Sequence, residues 1–464
     1  MIRLYNSLSG KKEKFEPIKP KEVGMYNCGP TVYDYVHVGN LRSYICADIF
    51  RRVFEYNEYS VRQVINITDV GHLTDDGDCG EDKIEKRAQE RKKTASQITI
   101  FFTEAFFQDI KALNIKTDGT LFPKATDHIK EQLELIKKLE NKGYTYKASD
   151  GIYFNTSKLP NCDFFRVAGD QLKQGARVEI NSEKHCPTDF ALWKLSPING
   201  KRQQEWSSPW GVGFPGWHLE CSAMAIKYLG EQFDVHTGGI DHKFPHHPNE
   251  IAQSETATGK KPFVRYWLHN EFLSFEGAKM AKSVGNFVTL NDVIEKGISP
   301  QVFRYWLLGA HYRSPISFSW QALRGASNAY DKLMEHARSL CTEDLGASPD
   351  EAYIETFKEI MNDDFNTPNA LALLWKLIKD KKIKKDVKFS TMEEFDKILA
   401  IGLSTPPEAE IEVPKKVADL IQKREEARMD KDWKKSDLLR DEIEELGFMI
   451  KDSPEGPKIK KMKC

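Results

Sequence analysis

Apolar residues recur every fourth position at Leu41, Ile45 and Ile49, which predicts a helix with one apolar face. A strand-like run, EVGMYNC (22–28), precedes it, and the β-branched run VRQVINIT (61–68) follows. Strand, helix and strand in that order open a parallel α/β sheet. The loop GPTVYDYVHVGN joins the first strand to the helix, and a Gly/Asp-rich loop occupies 71–83. Ile98, Phe102, Phe106, Ile110 and Leu113 then lie at helical spacing, and a further helix runs from about Thr126 to Gly143. Residues 150–215 change character, with short apolar runs, polar breaks and the aromatic-rich WKLSP and SPWGVGFPGW, which predicts an inserted subdomain. The α/β pattern returns with FDVHTGG (233–239). From about residue 320 the pattern is almost wholly helical. TPPEAEIEVP (405–414) reads as a linker, and a last helical pair ends at Gly447.

Composition narrows the class. The chain has 464 residues, 40% hydrophobic and 30% charged, as expected of a globular protein of several domains. Sixty-eight basic residues against 69 acidic ones leave a formal net charge of -1, so any nucleic-acid surface must be a local patch. No apolar run approaches the roughly 20 residues of a membrane span, and the N-terminus lacks the apolar core of a signal peptide. The 8 cysteines are scattered, which suggests reduced thiols and a cytoplasmic protein.

Three stretches carry chemistry. HVGN, His37 to Asn40, opens the first helix, and a helix N-terminus suits a phosphate. Gly39 allows close approach, while His37 and Asn40 can donate hydrogen bonds. KMAKSVGN places Lys279 and Lys282 three apart on a glycine-flanked loop, where both can reach a polyphosphate. FPHHPNEIAQSE (244–255) sets His246 and His247 just ahead of Glu250, PGWHLECSAM supplies Cys221, and NCGP supplies Cys28. Two sulfurs, a nitrogen and an oxygen are a plausible zinc set. Spacing alone does not pair Cys28 with Cys221, because nearly the whole α/β core lies between them.

HVGN and KMAKSVGN together resemble the paired HIGH and KMSKS signatures of class I aminoacyl-tRNA synthetases. Asn40 replaces the second histidine and can still donate a hydrogen bond, and Ala281 replaces the first serine, which is not one of the charged positions. CGPTVYDYVHVGNLR, NITDV, GWHLECSAM, HTGGIDHKFPHHPNEIAQSE, KMAKSVGNF, GAHYRSPISFS, DDFNTPNAL and KDWKKSDLLRD resemble cysteinyl-tRNA synthetases, in family order across essentially the whole chain.

That resemblance implies a Rossmann-like parallel-sheet catalytic domain with an inserted connective subdomain, then an α-helical anticodon-binding region and a small C-terminal domain. The expected division is 1–125 and 211–260 for the two catalytic halves, 126–210 for the insert and 261–320 for the KMSKS-loop and stem-contact region. A helical tRNA-binding bundle would follow at 321–404, and an anticodon-recognition domain at 405–464. The implied activity is ATP-dependent formation of cysteinyl-adenylate from L-cysteine and transfer to tRNA(Cys), by a monomer. The resemblance assigns one Zn2+ per chain to Cys28, Cys221, His246 and Glu250. Pro248 should push His247 out of helical geometry, leaving His246 just outside the helix, so His247 competes for the ligand role.

Thr68, Trp217, His236 and Asp241 would line the amino-acid pocket, in a run where five of the 12 histidines fall between residues 218 and 247. His37, Gly39, Asn40, Lys279 and Lys282 would bind ATP, with Mg2+ accompanying it. Arg428, Trp433, Asp437, Arg440 and Asp452 would contact tRNA. Two rivals are a ligase that passes cysteine to an amino sugar and an idle tRNA-binding paralogue. The roughly 140 residues after 320 oppose the first. The intact signature and ligand residues oppose the second.

Overall fold

The computed structural model describes the chain apart from residues 72, 74–79, 160–181, 198–201, 277–286, 342–346, 405–413, 431, 454–455 and 462–464. Four strands build the central sheet: β1 (Glu22–Asn27), β2 (Ser60–Ile65), β3 (Phe233–Gly239) and β4 (Val264–Asn270). All pairings are parallel, in the order β4-β3-β1-β2. Every residue of β3 is buried, as a sheet covered on both faces requires. Helix α1 (Val38–Tyr56) crosses from β1 to β2 and buries Leu41, Ile45 and Ile49.

The second crossover is long. After β2 the chain forms the helices Lys83–Arg91, Ala95–Ala112 and Ile129–Asn141. A five-stranded antiparallel sheet then spans residues 145–215, before helix α2 (Trp217–Leu229) leads into β3. Because β2 lies on one side of β1 and β3 on the other, the strand order reverses between β1 and β3. Open α/β sheets bind ligands outside the carboxyl ends of the strands at such a point. Helix α3 (His246–Thr258) follows β3 and returns the chain to β4.

The run 61–68 was expected to be strand throughout, but β2 ends at Ile65. Thr68 lies beyond it in an isolated parallel bridge to Thr31. Asn66 breaks the ladder, because its side chain takes up the loop amide of Gly29 at 2.8 Å. Sequence reasoning also missed β4, the N-terminal hairpin Arg3–Asn6 with Lys11–Lys14, and a C-terminal hairpin, Phe448–Ser453 with Gly456–Lys461.

Chain contacts divide the molecule into Met1–Thr405 and Pro406–Cys464. In the first unit, the helices Trp320–Leu340, Glu351–Asn362, Thr367–Lys379 and Lys385–Leu399 pack on one another, with Phe357 stacked on Phe395 at 4.1 Å. In the second, the helices Lys415–Met429 and Trp433–Glu445 share a small core of Val417, Leu420, Leu439, Ile443, Phe448 and Ile450 with the hairpin.

Buried ion pairs fix α1 within the first unit. Asp48 accepts from Arg304 at 2.5 Å, from Arg52 at 2.8 Å and from the Lys116 backbone at 2.8 Å. Burial alone would raise the Asp48 carboxyl, but the Arg304 and Arg52 cations outweigh it and hold it below the usual range. Arg42, 2% exposed, donates to the carbonyls of Glu271, Phe272, His311, Tyr312 and Ser314. Replacing Asp48 by alanine strands a buried guanidinium and is expected to cost about 3–5 kcal/mol in chemical denaturation. A loss below about 1 kcal/mol would mean that the pair behaves like one on the surface.

Candidate metal centre and nucleotide loop

The site begins where β1 runs out. The Cys28 amide donates to the Thr237 carbonyl of β3 at 3.2 Å, so the cysteine leaves the sheet still tied to the neighbouring strand. Behind it, Asn27 donates to Thr237 Oγ1 at 2.5 Å and accepts from Gln63 at 2.7 Å, a buried polar relay across three strands. Gly29 is needed for space, since a Cβ there would sit 1.5 Å from the Asn66 carbonyl oxygen. Asn66 also donates to Thr68 Oγ1 at 3.0 Å, and the Thr68 backbone pairs with Pro30 and Val32. Thr68 is thus held, 2% exposed, beside the Cys28 loop.

Helix α2 begins at Trp217 and carries Cys221 one turn later. Helix α3 begins at His246, not after it. The expectation that Pro248 would leave His246 outside the helix is therefore corrected. A proline in the first turn removes an N–H that has no intrahelical partner anyway. His246 and Glu250 consequently lie one turn apart, with Nε2 3.1 Å from Oε1. Although polar, the segment is buried: His246 and His247 are each 1% exposed and Glu250 is fully enclosed.

One ligand atom each from Cys28, Cys221, His246 and Glu250 fall within 4.8 Å of one another. A second set, Cys28, His236, His247 and Glu250, meets the same limit. Both histidines of the pair turn Nε2 inward. His246 Nδ1 is 2.9 Å from His218 Nδ1, and His247 Nδ1 is 2.7 Å from His269 Nε2, while His247 Nε2 lies 3.4 Å from Cys28 Sγ. His236 approaches the other Glu250 oxygen at 3.2 Å and stacks on Trp267 at 4.6 Å. His269 escaped the sequence reading because β4, the strand that carries it, did. Its sequence signal was the short run VRYWLHN, in which Tyr266, Trp267 and Leu268 are adjacent and no clean alternation shows.

The donor set suits a cation. Glu250 Oε1 has no properly aligned hydrogen bond despite the histidine nearby, and an enclosed carboxylate oxygen needs compensation. Burial opposes ionisation of Glu250, but His236 and His246 outweigh it and hold the carboxyl at about 2. Burial would lower His246, but Cys221 and Glu250 outweigh it and raise the imidazole to about 10. Cys28 donates to Cys221, the largest influence on that thiol, and brings it down to about 6. The Cys28 thiol is itself pushed well up, by burial first. The cluster is thus a buried Cys/His/Glu set that could bind a metal.

Other sequence-picked residues surround it. The Trp217 ring lies 4.5 Å from the His246 ring. Asp241 occupies a short 3-10 turn after β3, where a Cβ on Gly239 would be 2.3 Å from its Oδ1. His37 caps α1, with Nδ1 accepting from the amides of Gly39 at 3.0 Å and Asn40 at 3.2 Å. Two of the helix N–H groups expected to meet a phosphate are therefore taken by the histidine itself. A neutral ring that accepts at Nδ1 carries its proton on Nε2, which makes Nε2 the donor. A Cβ on Gly39 would sit 2.8 Å from that ring. Lys279 and Lys282 lie outside the described residues.

In the Pro406–Cys464 unit, the Arg428 guanidinium lies 5.9 Å from the centroid of Trp433, which is 58% exposed. Asp437 is exposed one turn after Trp433, and Arg440 reaches Glu444 at 3.7 Å and the Ile450 carbonyl at 3.4 Å. The side chain of Asp452 lies outside the described residues.

Residues 14–328 match the family described as tRNA synthetases class I (C) catalytic domain. Residues 356–401 match the DALR domain, and 411–457 the cysteinyl-tRNA ligase anticodon binding domain. The cysteine–tRNA ligase of Treponema denticola is 44% identical over 482 residues, covering 97% of this chain and 98% of that protein. Cysteine–tRNA ligase 1 of Burkholderia lata is 43% identical and covers 99% and 96%. Among solved structures, methionyl-tRNA synthetase of Mycobacterium tuberculosis in complex with methionyl-adenylate aligns over 83% of this chain and 91% of its own, with TM-score 0.53 and 16% identity, a likeness of fold. Full-length identity above 40% to the first two and a catalytic-domain match over most of the chain establish that this protein belongs to the cysteine–tRNA ligase family of class I aminoacyl-tRNA synthetases.

Proposed function

We propose that the chain activates L-cysteine with ATP and transfers it to tRNA(Cys), with one zinc ion held by Cys28, Cys221, His246 and Glu250. The observation that carries the zinc reading is the convergence of those four side chains, buried, at the strand-order reversal. Cysteine and serine differ by one atom, which a size-based pocket separates by only ~1–3 kcal/mol. Bound there, zinc would supply a soft Lewis acid that favours a thiolate over a hydroxyl.

The chain's own residues do the rest. A cysteine carboxylate oxygen attacks the α-phosphorus of ATP, and the bond to the pyrophosphate leaving group breaks. His37 donates to the phosphates through Nε2–H, and Asn40 donates beside it. Lys279 and Lys282 neutralise the departing pyrophosphate, and Mg2+ arrives with the nucleotide. Trp217 and Thr68 wall the amino-acid side, and Asp241 pairs with its ammonium. The terminal ribose hydroxyl of tRNA then attacks the acyl carbon and releases AMP. Positioning carries both steps, so no protein nucleophile is needed.

The helices over 321–404 and the domain over 405–464 bind tRNA, with Trp433 stacking on an unpaired base and Arg428, Arg440, Asp437 and Asp452 around it. This region favours a tRNA acceptor over an amino sugar. The enzyme acts as a cytoplasmic monomer.

Metal analysis beside cysteine- and serine-dependent ATP–pyrophosphate exchange tests the reading. Cys221→Ser is expected to lose both the bound metal and the preference for cysteine; retained metal with unchanged selectivity would contradict it. His246→Ala should empty the site and His247→Ala should not. The reverse pattern would move the metal to the His236 and His247 set.

At neutral pH, His246, raised to about 10, and the elevated Cys28 thiol both hold protons that ligation must remove, whereas Glu250 at about 2 is already ionised. Metal uptake by stripped protein should therefore strengthen as pH rises and release about two protons near pH 7. Calorimetry in buffers of different ionisation enthalpy reads this number, and no release would contradict the ligand set.

A further inference from the structure

A cluster of rings and cations, partly exposed at Tyr35 and Phe101 and seated on the buried Phe102, lies beside the HVGN helix start. Tyr35, two residues before the cap His37, is 40% exposed. Its ring meets Phe102 edge-on at 5.1 Å and Phe101 at 6.1 Å. Phe101 is 37% exposed and its neighbour Ile100 48%. Two cations lie over these rings. The Arg91 guanidinium is 4.9 Å from the Phe102 centroid and 5.7 Å from that of Phe101, and Lys93 Nζ is 5.4 Å from Phe101. Lys83 lies 5.6 Å over Tyr33 in the same loop.

The charge is concentrated too. KIEKRAQERKK (83–93) has six basic residues against two acidic ones, in a chain whose overall net charge is only -1. Arg87 pairs with Asp34 and so ties this basic helix to the loop that carries Tyr33 and Tyr35.

Partly exposed aromatic faces interleaved with cations are what single-stranded nucleic acid requires. Bases stack on the rings, and phosphates meet the lysines and arginines. A protein-binding surface would show an apolar centre without a basic run across it. Location selects the strand. If the chain charges tRNA, as proposed above, the unpaired 3′ end must pass the start of α1 for its terminal ribose to reach the reacting carbon. We propose that Tyr35, Phe101, Arg91 and Lys93 form the platform on which the unpaired 3′ nucleotides of tRNA stack during transfer. The proposal rests on the tRNA-charging reading and adds a surface made of residues assigned neither to ATP nor to the metal cluster.

The test uses full-length protein and two RNAs: tRNA(Cys) and the same tRNA lacking its unpaired 3′ nucleotides, the latter as a competitive inhibitor of charging. For the double variant Phe101→Ala with Arg91→Ala, KM for intact tRNA should rise about tenfold, the effect of losing one base stack. Inhibition by the shortened tRNA should be the same as with the wild-type enzyme. Phe101→Tyr alone, which keeps a ring and Arg91, should leave the KM at the wild-type value. An unchanged KM in the double variant, or an equal loss of affinity for both RNAs, would overturn the platform. Failure of wild-type protein to support any cysteine-dependent pyrophosphate exchange would instead overturn the underlying reading, so the two failures are distinguishable.

Discussion

A carboxylate shut away from water is the constraint around which this site is built. Glu250 has no solvent exposure, and its two oxygens face His246 at 3.1 Å and His236 at 3.2 Å. A bare charge in such a place costs several kcal/mol even after relaxation. Positive charge must therefore be supplied locally, as histidine protons or as a metal. The surroundings leave little freedom in how it is supplied. His218 and His269 back His246 and His247 from behind, so each presents Nε2 to the cluster. Gln253 of α3 bonds the His218 carbonyl and Ser222 of α2, locking the two helices that carry Cys221 and Glu250. A Cβ on Gly238 would lie 2.6 Å from His242 Nδ1 and 2.9 Å from the His247 ring, so glycine at the end of β3 is what lets the histidines close in.

Topology places this cluster at the carboxyl end of the central sheet. Strand order reverses between β1 and β3, the point at which open α/β sheets bind ligands, and Cys28 and Gly239 stand at the carboxyl ends of those two strands. The same geometry brings the loop after β1 to the start of α1, where His37 sits as the cap. Arg42, Asp48 and Arg304 then tie α1 to the segments 271–314, so the helix that His37 caps is anchored by buried charge as well as by apolar packing.

Much of this was legible in the sequence, and the limits have physical causes. HVGN, KMAKSVGN and the Cys, His and Glu ligand candidates are local patterns, and resemblance to known sequences grouped them. Period-four spacing located α1, the short run EVGMYNC located β1, and a β-branched run located β2. The pairing of Cys28 with Cys221 was invisible to spacing, because a crossover with its own five-stranded sheet separates them. β4 was overlooked because VRYWLHN mixes apolar, aromatic and charged residues over seven positions, and His269 was lost with it. Local preference also misled at Pro248: a pre-proline bias was overridden by the freedom of a helix's first turn. The capping of α1 by His37 depends on rotamer and reach, which no residue pattern encodes.

X-ray absorption at the zinc edge of the purified, metal-loaded protein addresses the central claim most directly. The account predicts a first shell containing sulfur from Cys28 and Cys221 without substrate, and one additional sulfur neighbour when L-cysteine is added, with no such change on adding L-serine. A shell whose sulfur content is identical with and without cysteine would contradict it.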